Sequence, residues 1–299
     1  MVWLVPDFLS RIVVVEMGDV MAICKLSEIS NKSITRISCG IIELDRAIGK
    51  TDIGNSRFFG FPIGKISYLS GEHGVGKSRL SIQICKTLNK QGHKILYFQG
   101  EVPLPQFKEW FGHNPDNILC GNETDPSSII DDINVVNPSF VVVDSVNMID
   151  GFMTIAKDKN SFFTDLRRSL NEVQAHCLML GQLNKDGSAK GPSDITHLVD
   201  IVCKLQFLKN ADFIVNSGWK RDTKLKYLQT MSNQYGNCFV WDIGKNRYGC
   251  SGGWVMFRHN AADVQFLASK DIYESLKEAK KTKVPEKKVK KRIGSWWDR

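Results

Sequence analysis

The residues with the clearest chemistry form one glycine-rich stretch of the pattern G-x-x-x-x-G-K-S. The stretch consists of Gly71, Glu72, His73, Gly74, Val75, Gly76, Lys77 and Ser78. Glycines allow backbone N–H groups to turn inward around a phosphate without obstruction by a Cβ atom. A lysine at this position can approach the β- and γ-phosphates, and the hydroxyl that follows it can ligate Mg²⁺. The motif therefore predicts a phosphate-binding loop for a nucleoside triphosphate with Mg²⁺.

The flanking sequence supplies the structural context that such a loop needs. Residues 65–70 favour a β-strand, and Leu80, Ile84 and Leu88 recur at the spacing of one helix face. A strand, a loop and a helix in this order place a bound phosphate at the N-terminus of the helix, where backbone N–H groups favour anions. A glycine-rich turn that matches the motif by chance is the alternative, and these flanks disfavour it.

Three further polar side chains lie at the ends of predicted strands. Asp144 directly follows four apolar residues, Glu101 comes after the predicted strand 94–99, and Gln182 lies near the end of the predicted strand 177–183. Ligands of an open parallel sheet bind at the carboxyl ends of its strands, so we expect these side chains to converge with the loop.

Each of these three residues has a chemical role and a structural alternative. Asp144 could hold Mg²⁺ through water, or it could cap the next helix. Glu101 could polarise the water that attacks the γ-phosphate, or it could be a surface acid at a helix start. Gln182 could sense the γ-phosphate, or it could simply bond to the backbone.

Two basic stretches are candidates for contacts with phosphate or DNA. Segment 184–192 carries Lys185 and Lys190 among glycines, which suits a DNA-contacting loop and equally an ordinary surface connection. Lys245 and Arg247 follow a predicted strand and could reach a phosphate in the same subunit or a neighbouring one. Taken alone, they also fit a solvated basic turn.

The alternation of strands and helices predicts an α/β fold with a mostly parallel central sheet flanked by helices. The predicted strands are 65–70, 94–99, 140–143, 177–183 and 198–207, and the predicted helices are 103–110, 127–136 and 161–176. Three later strands, 238–243, 254–258 and 264–267, predict an antiparallel extension of the sheet. Residues 50–64 are rich in Gly, Asn and Ser and predict a loop that leads into the first core strand.

Composition and charge narrow the class of protein. The chain has 299 residues and a net charge of +8, and residues 270–299 alone hold eleven Lys/Arg against five Asp/Glu. Trp296 and Trp297 beside these cations suit stacking on single-stranded DNA, or docking of the tail on a partner protein. No apolar run approaches the roughly 20 residues of a membrane helix. The eight cysteines lack a C-x-x-C pair, which predicts reduced thiols in a cytoplasmic protein.

The motifs, taken in order, resemble the RadA/Sms branch of the RecA-like ATPases over about residues 26–260. The resemblance rests on GEHGVGKS (71–78), the strand that ends in Gly100-Glu101, VVVDS (141–145), GQLNKDGSAKGPSDITHLVDIV (181–202) and KNRYG (245–249). It implies a RecA-like ATPase core over 37–268, with an N-terminal segment or linker at 1–36 and a basic tail at 269–299. The sequence departs from this family in three expected respects: the N-terminal zinc finger and the Lon-like domain are missing, and 208–237 is a longer insertion than the family usually has.

The resemblance further implies a hexameric ring that binds ATP between its subunits and works on single-stranded DNA, as a helicase or branch-migration motor in recombination, repair or replication. The implied roles are Mg-ATP binding for Lys77, Ser78 and Asp144, water activation for Glu101, sensing for Gln182, and contact with the neighbour's ATP and DNA for Lys245 and Arg247. Recombination or replication proteins could bind the basic tail. A RecA-type strand-exchange protein and a non-motor recombination mediator remain alternatives.

Overall fold

The structure, a computed structural model, describes residues 34–53, 56–112, 116–150, 156–183, 195–259 and 264–269. The strands are β1 (Arg36–Ile37), β2 (Lys50–Ile53), β3 (Ser56–Phe59), β4 (Phe61–Pro62), β5 (Ile66–Gly71), β6 (Ile95–Gln99), β7 (Ile118–Gly121), β8 (Phe140–Asp144), β9 (His176–Gln182), β10 (Ile201–Phe207), β11 (Cys238–Asn246), β12 (Trp254–His259) and β13 (Val264–Ser269). The helices are α1 (Ile42–Ile48), α2 (Lys77–Lys90), α3 (Leu104–Phe111), α4 (Pro126–Val136), α5 (Ala156–Glu172), α6 (Ile195–Leu198), α7 (Asp212–Val215) and α8 (Arg221–Tyr235).

One large sheet organises the molecule. In the described part of the chain nine strands join in the order β13-β12-β11-β10-β5-β9-β8-β6-β7. The strands from β10 to β7 in this order are parallel, and β11, β12 and β13 continue the sheet in antiparallel fashion. The predicted fold class, an α/β core with a mostly parallel sheet and an antiparallel extension, is therefore confirmed. None of the described helices is both long enough and apolar enough to span a bilayer.

The central strands are buried on both faces, which explains their unbroken apolar sequence. Along β8, Val142 packs into the core cluster that includes α2, whereas its neighbour Val141 packs into the cluster that includes α5. Leu180 and Met179 of β9 divide between the same two clusters. Because side chains alternate between the faces of a strand, each strand contributes to both cores and fixes the helices against the sheet.

The prediction of a loop over residues 50–64 was wrong. β2 and β3 form an antiparallel hairpin in which Lys50 pairs with Phe59, and β4 pairs with β1. The sequence does contain a hairpin signal, because two residues of the type Gly-Asn separate the paired runs. The Gly, Asn and Ser content of residues 50–64 therefore predicted their structure less well than the two-residue separation of the paired runs.

Other elements also differ from the predicted ones. Helix α5 covers Ala156–Glu172 and not 161–176, and the strand predicted from 198 starts only at Ile201, after the short helix α6 has ended at Leu198. Strand β7 was not predicted: it pairs with β6 alone, and its Leu119 side chain is 40% exposed. An edge strand of four residues carries little periodicity, so only its pairing with β6 identifies it.

The insertion at 208–237 packs onto the antiparallel extension. Phe213 stacks on Trp254 with ring centroids 4.3 Å apart, and Trp219 meets Tyr227 edge-on at 5.3 Å. These rings join a small separate core with buried residues of β11 and β12. Residues 208–237 are therefore attached to the central sheet through their own hydrophobic cluster.

A buried histidine lies at the opposite end of the parallel strands from the phosphate-binding loop. His176 is fully buried against Phe61 and Phe140, and its Nδ1 donates a hydrogen bond of 2.7 Å to the carbonyl of Pro62. Among the described residues Nε2 has no hydrogen-bond partner. Burial lowers the pKa of this imidazole to about 4.

We expect the buried imidazole of His176 to make the free energy of unfolding depend on pH. The unfolded chain takes up this proton near pH 6.5 and the folded chain only near pH 4, so stability falls by about 3 kcal/mol between these values. The pKa of Asp242, raised to about 7 by burial, acts in the opposite direction, so a variant must isolate the histidine. His176→Asn keeps a donor near the Nδ1 position but does not titrate. Its unfolding free energy, measured in urea from pH 7 to pH 4, should fall less steeply than that of the unaltered protein; equal slopes would contradict this assignment.

Candidate nucleotide-binding site

The phosphate-binding loop and the polar residues at the strand ends do converge at one edge of the sheet. Gly71 pairs with Gln182, and Asp144 pairs with both Gln99 and Leu180, so β5 and β9 end at one level and β8 and β6 end two residues earlier along the same edge. A cavity of about 700 Å³ opens there. Its lining includes His73, Gly74, Gly76, Lys77, Ser78, Glu101, Asp144 and Gln182. A cavity of this size is typical of small-molecule and cofactor sites.

The loop has the backbone geometry that a phosphate requires. Gly74 and Gly76 have φ angles of 73° and 93°, and helix α2 begins directly after them at Lys77. The first turn of α2 contains no acidic residue, so nothing there opposes an anion at the positive end of the helix dipole. A Cβ atom at Gly71 would lie 2.8 Å from the carbonyl oxygen of Leu205 and 3.0 Å from Lys77 Cδ. The glycines therefore fit a site for the phosphates of a nucleotide.

The side chain of Lys77, the first residue of α2, folds back onto the phosphate-binding loop that precedes it. Its Nζ donates hydrogen bonds of 3.0 and 3.1 Å to the carbonyls of Gly71 and Glu72. Burial lowers the pKa of Lys77, while the nearby carboxylates of Asp144 and Glu101 raise it. The ammonium group is thus held beside the position where negative charge would bind.

Asp144 is a buried carboxylate with two hydroxyl partners. Tyr97 Oη donates a hydrogen bond of 2.8 Å to Asp144 Oδ2, and the hydroxyl of Ser78 also bonds to the carboxylate. Burial raises the pKa of Asp144, and these two hydrogen bonds oppose the rise. Because Ser78 and Asp144 are adjacent, they supply the hydroxyl and carboxylate oxygens that suit Mg²⁺, a hard cation.

Glu101 is carried by a tight turn after β6. The side chain of Gln99 fixes this turn, because its Nε2 donates to the carbonyl of Val102 at 2.6 Å and its Oε1 accepts from the Val102 N–H at 3.2 Å. The Gly100 N–H also donates to the carbonyl of Asp144. The turn therefore holds the exposed Glu101 carboxylate at the cavity, as predicted from its position after the strand.

Glu72 connects the loop to the insertion. Its Oε1 accepts a hydrogen bond of 3.1 Å from the Phe207 N–H, and its Oε2 accepts one of 2.8 Å from the Asn210 amide. The sequence placed Glu72 among the nucleotide-binding positions of the motif. In the structure its carboxylate instead ties the loop to the segment that opens the insertion.

His259, at the end of β12, contacts the loop from the other side. Its Nε2 lies 3.2 Å from the carbonyl oxygen of Val75, and its ring stacks on Phe239 at 4.2 Å. A Cβ atom at Gly76 would lie 2.1 Å from Nε2, so a glycine is needed where the histidine meets the loop. Burial lowers the pKa of His259, which favours the neutral ring with Nε2–H donating to Val75.

Lys245 and Arg247 do not reach this cavity. Lys245 is paired with Val202, three residues before the position on β10 that pairs with Gly71, and the chain runs away from the loop towards Arg247. At about 3.3 Å per residue, Lys245 lies roughly 10 Å along the strand direction from the loop. Lys245 Nζ donates to the carbonyls of Thr196 and Val199, at 2.6 and 2.9 Å. Action on a phosphate in the same subunit is thus disfavoured.

At the opposite edge of the sheet, where the parallel strands begin, a buried carboxylate bonds to the basic residues. Asp200 is 3% exposed and accepts hydrogen bonds from the Ile66 N–H at 3.1 Å and from Arg247 Nη1 at 3.4 Å. Arg167 adds a salt bridge of 3.6 Å to the same carboxylate. The Arg247 side chain is still 48% exposed, so it is anchored at one end and accessible to a neighbouring molecule.

The sequence identified the site residues that belong to motifs, but it did not identify the residues that hold them in place. Tyr97, Gln99, Asp200 and His259 were not singled out, because each is an isolated polar residue within a strand or next to one. An acid within the apolar run of HLVDIV was a usable signal for Asp200, since a buried charge requires partners. The predicted DNA-contacting residues Lys185 and Lys190 lie outside the described residues, as does the tail from 270.

Together, the sheet order and the phosphate-binding loop at its carboxyl edge are those of a RecA-like α/β core. Comparison with curated proteins finds similarity to the DNA repair protein RadA of several bacteria. This chain is 29% identical to RadA of Mycobacterium tuberculosis (strain ATCC 25618 / H37Rv) over 185 residues, which are 57% of this chain and 36% of the relative. It is 26% identical to RadA of Listeria monocytogenes over 205 residues, 66% and 43% of the two chains. For RadA of Bacillus subtilis the identity is 30% over 164 residues, 51% and 36% of the two chains.

These relatives confirm the predicted resemblance to the RadA/Sms branch of the RecA-like ATPases. No family model matches the chain. The matched region spans only 36–43% of the length of the curated relatives. The similarity therefore concerns a part of those proteins and not their whole length.

We expect His259 to position the loop for nucleotide. His259→Ala removes the hydrogen bond to Val75 and the support under Gly76, and should weaken ATP binding about tenfold, the effect of one lost hydrogen bond. His259→Gln keeps a donor and should lose less. Isothermal titration measures both affinities, and urea unfolding of the same variants separates a general loss of stability. An Ala variant that binds ATP as well as the unaltered protein would remove His259 from the site.

Proposed function

We propose that this protein is a DNA-dependent ATPase motor, a RadA-like or DnaB-like helicase or branch-migration enzyme that acts on single-stranded DNA in recombination, repair or replication. The observation that carries this proposal is the convergence of Lys77, Ser78, Asp144, Glu101 and Gln182 on one cavity at the carboxyl edge of the sheet. The similarity to proteins named for DNA repair supports the choice of DNA as the substrate.

The cavity residues divide the work of ATP hydrolysis. The loop backbone and Lys77 would bind the phosphates, and Ser78 with Asp144 would hold Mg²⁺, which when bound neutralises phosphate charge. Glu101 would orient the attacking water and accept its proton. Gln182 would contact the γ-phosphate and relay its loss to the segment that follows, in which we place the DNA contacts of Lys185 and Lys190.

The basic residues at the edge of the sheet opposite the cavity support assembly of the protein into a ring. Arg247 and Lys245 are fixed by Asp200 and by carbonyls of residues 196–199, away from their own loop. In a head-to-tail ring this edge of one subunit would face the nucleotide edge of the next, where an arginine can stabilise phosphoryl transfer. We therefore propose a hexameric ring whose core covers 37–268. The basic tail 269–299 would hold DNA or a recombination or replication protein.

The direct test is ATP hydrolysis with and without single-stranded DNA. We expect DNA to raise the rate several-fold, and Glu101→Gln to lower kcat by about 10²- to 10⁴-fold with little change in ATP affinity. The matched control is Glu172→Gln, an exposed acid on α5 remote from the cavity in sequence and fold. A rate that DNA does not change, with ATP still bound, would favour the recombination mediator, and homologous pairing by filaments would favour a strand-exchange protein.

A mixing experiment tests whether Arg247 acts on a neighbouring subunit. Lys77→Ala and Arg247→Ala should each be inactive alone. In an equal mixture, an interface that combines an intact loop with an intact arginine arises in about a quarter of cases, so part of the activity should return. Arg168→Ala, an exposed arginine on α5, is the control and should stay active. Absence of any recovery in confirmed mixed oligomers would exclude action in trans.

A further inference from the structure

Arg36 of β1 is a buried arginine that lies outside the nucleotide cavity. It is 8% exposed, and among the described residues its guanidinium forms no salt bridge. Its Nε donates a hydrogen bond of 2.8 Å to Thr51 Oγ1, and its Nη1 donates one of 2.9 Å to the carbonyl of Gly60. Its Nη2 donates to the carbonyl of Tyr248. A buried cation without a carboxylate is unfavourable, so these three oxygens are what stabilises it there.

The third of these bonds joins the first described strand to the turn that carries Arg247. Tyr248 directly follows Arg247, and 212 positions separate it from Arg36 in the chain. The other two bonds hold the guanidinium against the β2–β3 hairpin and the residue that follows it. Arg36 therefore connects this hairpin to the backbone immediately after Arg247.

Further hydrogen bonds fix the same turn, residues 246–249, from its other sides. Asn246 Nδ2 donates to the carbonyl of Ile48 at 2.6 Å, and Asn246 Oδ1 accepts from the Tyr248 N–H at 2.9 Å. The Arg247 N–H donates to the carbonyl of Asp200 at 3.2 Å. The backbone on both sides of Arg247 is thus attached to the end of α1, to the residue before β10 and, through Arg36, to the hairpin.

Two glycines make these close contacts possible. A Cβ atom at Gly49 would lie 3.0 Å from Arg36 Nη1 and equally close to the carbonyl oxygen of Tyr248. A Cβ atom at Gly249 would lie 2.4 Å from the carbonyl oxygen of Ile48. Any larger residue at either position would separate the turn from the groups that hold it.

The side chain of Arg247 remains accessible although its backbone is fixed. It is 48% exposed and bonds to the Asp200 carboxylate through Nη1 only, at 3.4 Å. A cation that acts on a neighbouring phosphate must be held close to its working position, because a misplacement of about 1 Å can cost about 100-fold in rate. The placement of the turn therefore matters to whatever Arg247 does.

We propose that Arg36 is a positioning residue for Arg247, and that it holds the turn 246–249 so that Arg247 reaches the nucleotide of the neighbouring subunit. This inference rests on the proposed action of Arg247 in trans. A cross-link with no part in the reaction would lower stability whichever subunit carried the change. A positioning residue must instead act together with Arg247 of its own subunit and on the loop of the next one.

The test places Arg36→Ala in mixed oligomers of the full chain. Alone, this variant should lower the kcat of ATP hydrolysis by up to about 100-fold, with little change in ATP affinity measured by isothermal titration. Mixed with Lys77→Ala, it should regain part of the activity, because one subunit supplies an intact loop and the other an intact turn. Mixed with Arg247→Ala, it should regain none, because neither subunit supplies an intact turn.

Two further variants control for stability. Arg57→Ala removes an exposed arginine of the same hairpin, paired with Asp52 at 2.9 Å, and should keep full activity. Gly249→Ala displaces the turn from the side of Ile48 and keeps every donor of Arg36, so it should behave in the mixtures as Arg36→Ala does. It replaces Arg36→Ala in the test if urea unfolding shows that the latter has lost its fold.

The outcomes separate this inference from the proposed function. An unaltered protein that does not hydrolyse ATP would overturn the ATPase proposal, and a fully active Arg247→Ala would overturn the action in trans; the role of Arg36 falls with either. If Arg247→Ala is inactive and Arg36→Ala is fully active, only the positioning role is overturned. Recovery with Arg247→Ala but not with Lys77→Ala would assign the effect to the loop of the same subunit, and equal loss in every mixture would assign it to stability alone. Both results would also overturn the positioning role.

Discussion

The register of the parallel strands is the constraint on which the rest of the site depends. Gly71 is level with Gln182, and Asp144 with Gln99, because β5, β9, β8 and β6 are paired without a shift. A slip of one residue in any pair would move each side chain of that strand to the opposite face of the sheet, into the wrong core, and would displace its terminal polar residue from the cavity. Burial of both faces of these strands therefore also fixes the position of the phosphate-binding loop. The strand register determines both the packing of the hydrophobic cores and the placement of the site residues.

The loop is held from two sides by parts of the chain that flank it in space and not in sequence. Glu72 bonds to the segment that begins the insertion, and His259 bonds to the carbonyl of Val75 from the antiparallel extension. A loop rich in glycine has many alternative conformations, and such contacts reduce their number before a phosphate binds. The same contacts link the loop physically to the insertion and to the hairpin of β12 and β13.

The two edges of the sheet arrange their charges differently. At the carboxyl edge the carboxylates of Asp144 and Glu101 lie near Lys77, whereas the opposite edge places Arg167, Lys245 and Arg247 around the buried carboxylate of Asp200. An isolated buried carboxylate is unfavourable, so Asp200 requires these cations, and the cations in turn are fixed in direction by it. The edge as a whole carries an excess of positive charge, which is the feature that the proposed ring assembly uses.

The sequence by itself determined the α/β class, the phosphate-binding loop, the order of most strands and helices, and the strand-end positions of Asp144, Glu101 and Gln182. These features depend on local periodicity and on a motif whose spacing is set by backbone chemistry. Both signals can be recognised from the amino-acid sequence alone. The edge strand β7 and the supporting roles of Tyr97, Asp200 and His259 were decided only by the tertiary structure. Each of them depends on a partner distant in the chain, such as the 184 positions that separate His259 from Val75. Pairing across such distances is determined by the packing of the whole fold, and no local pattern in the sequence records it.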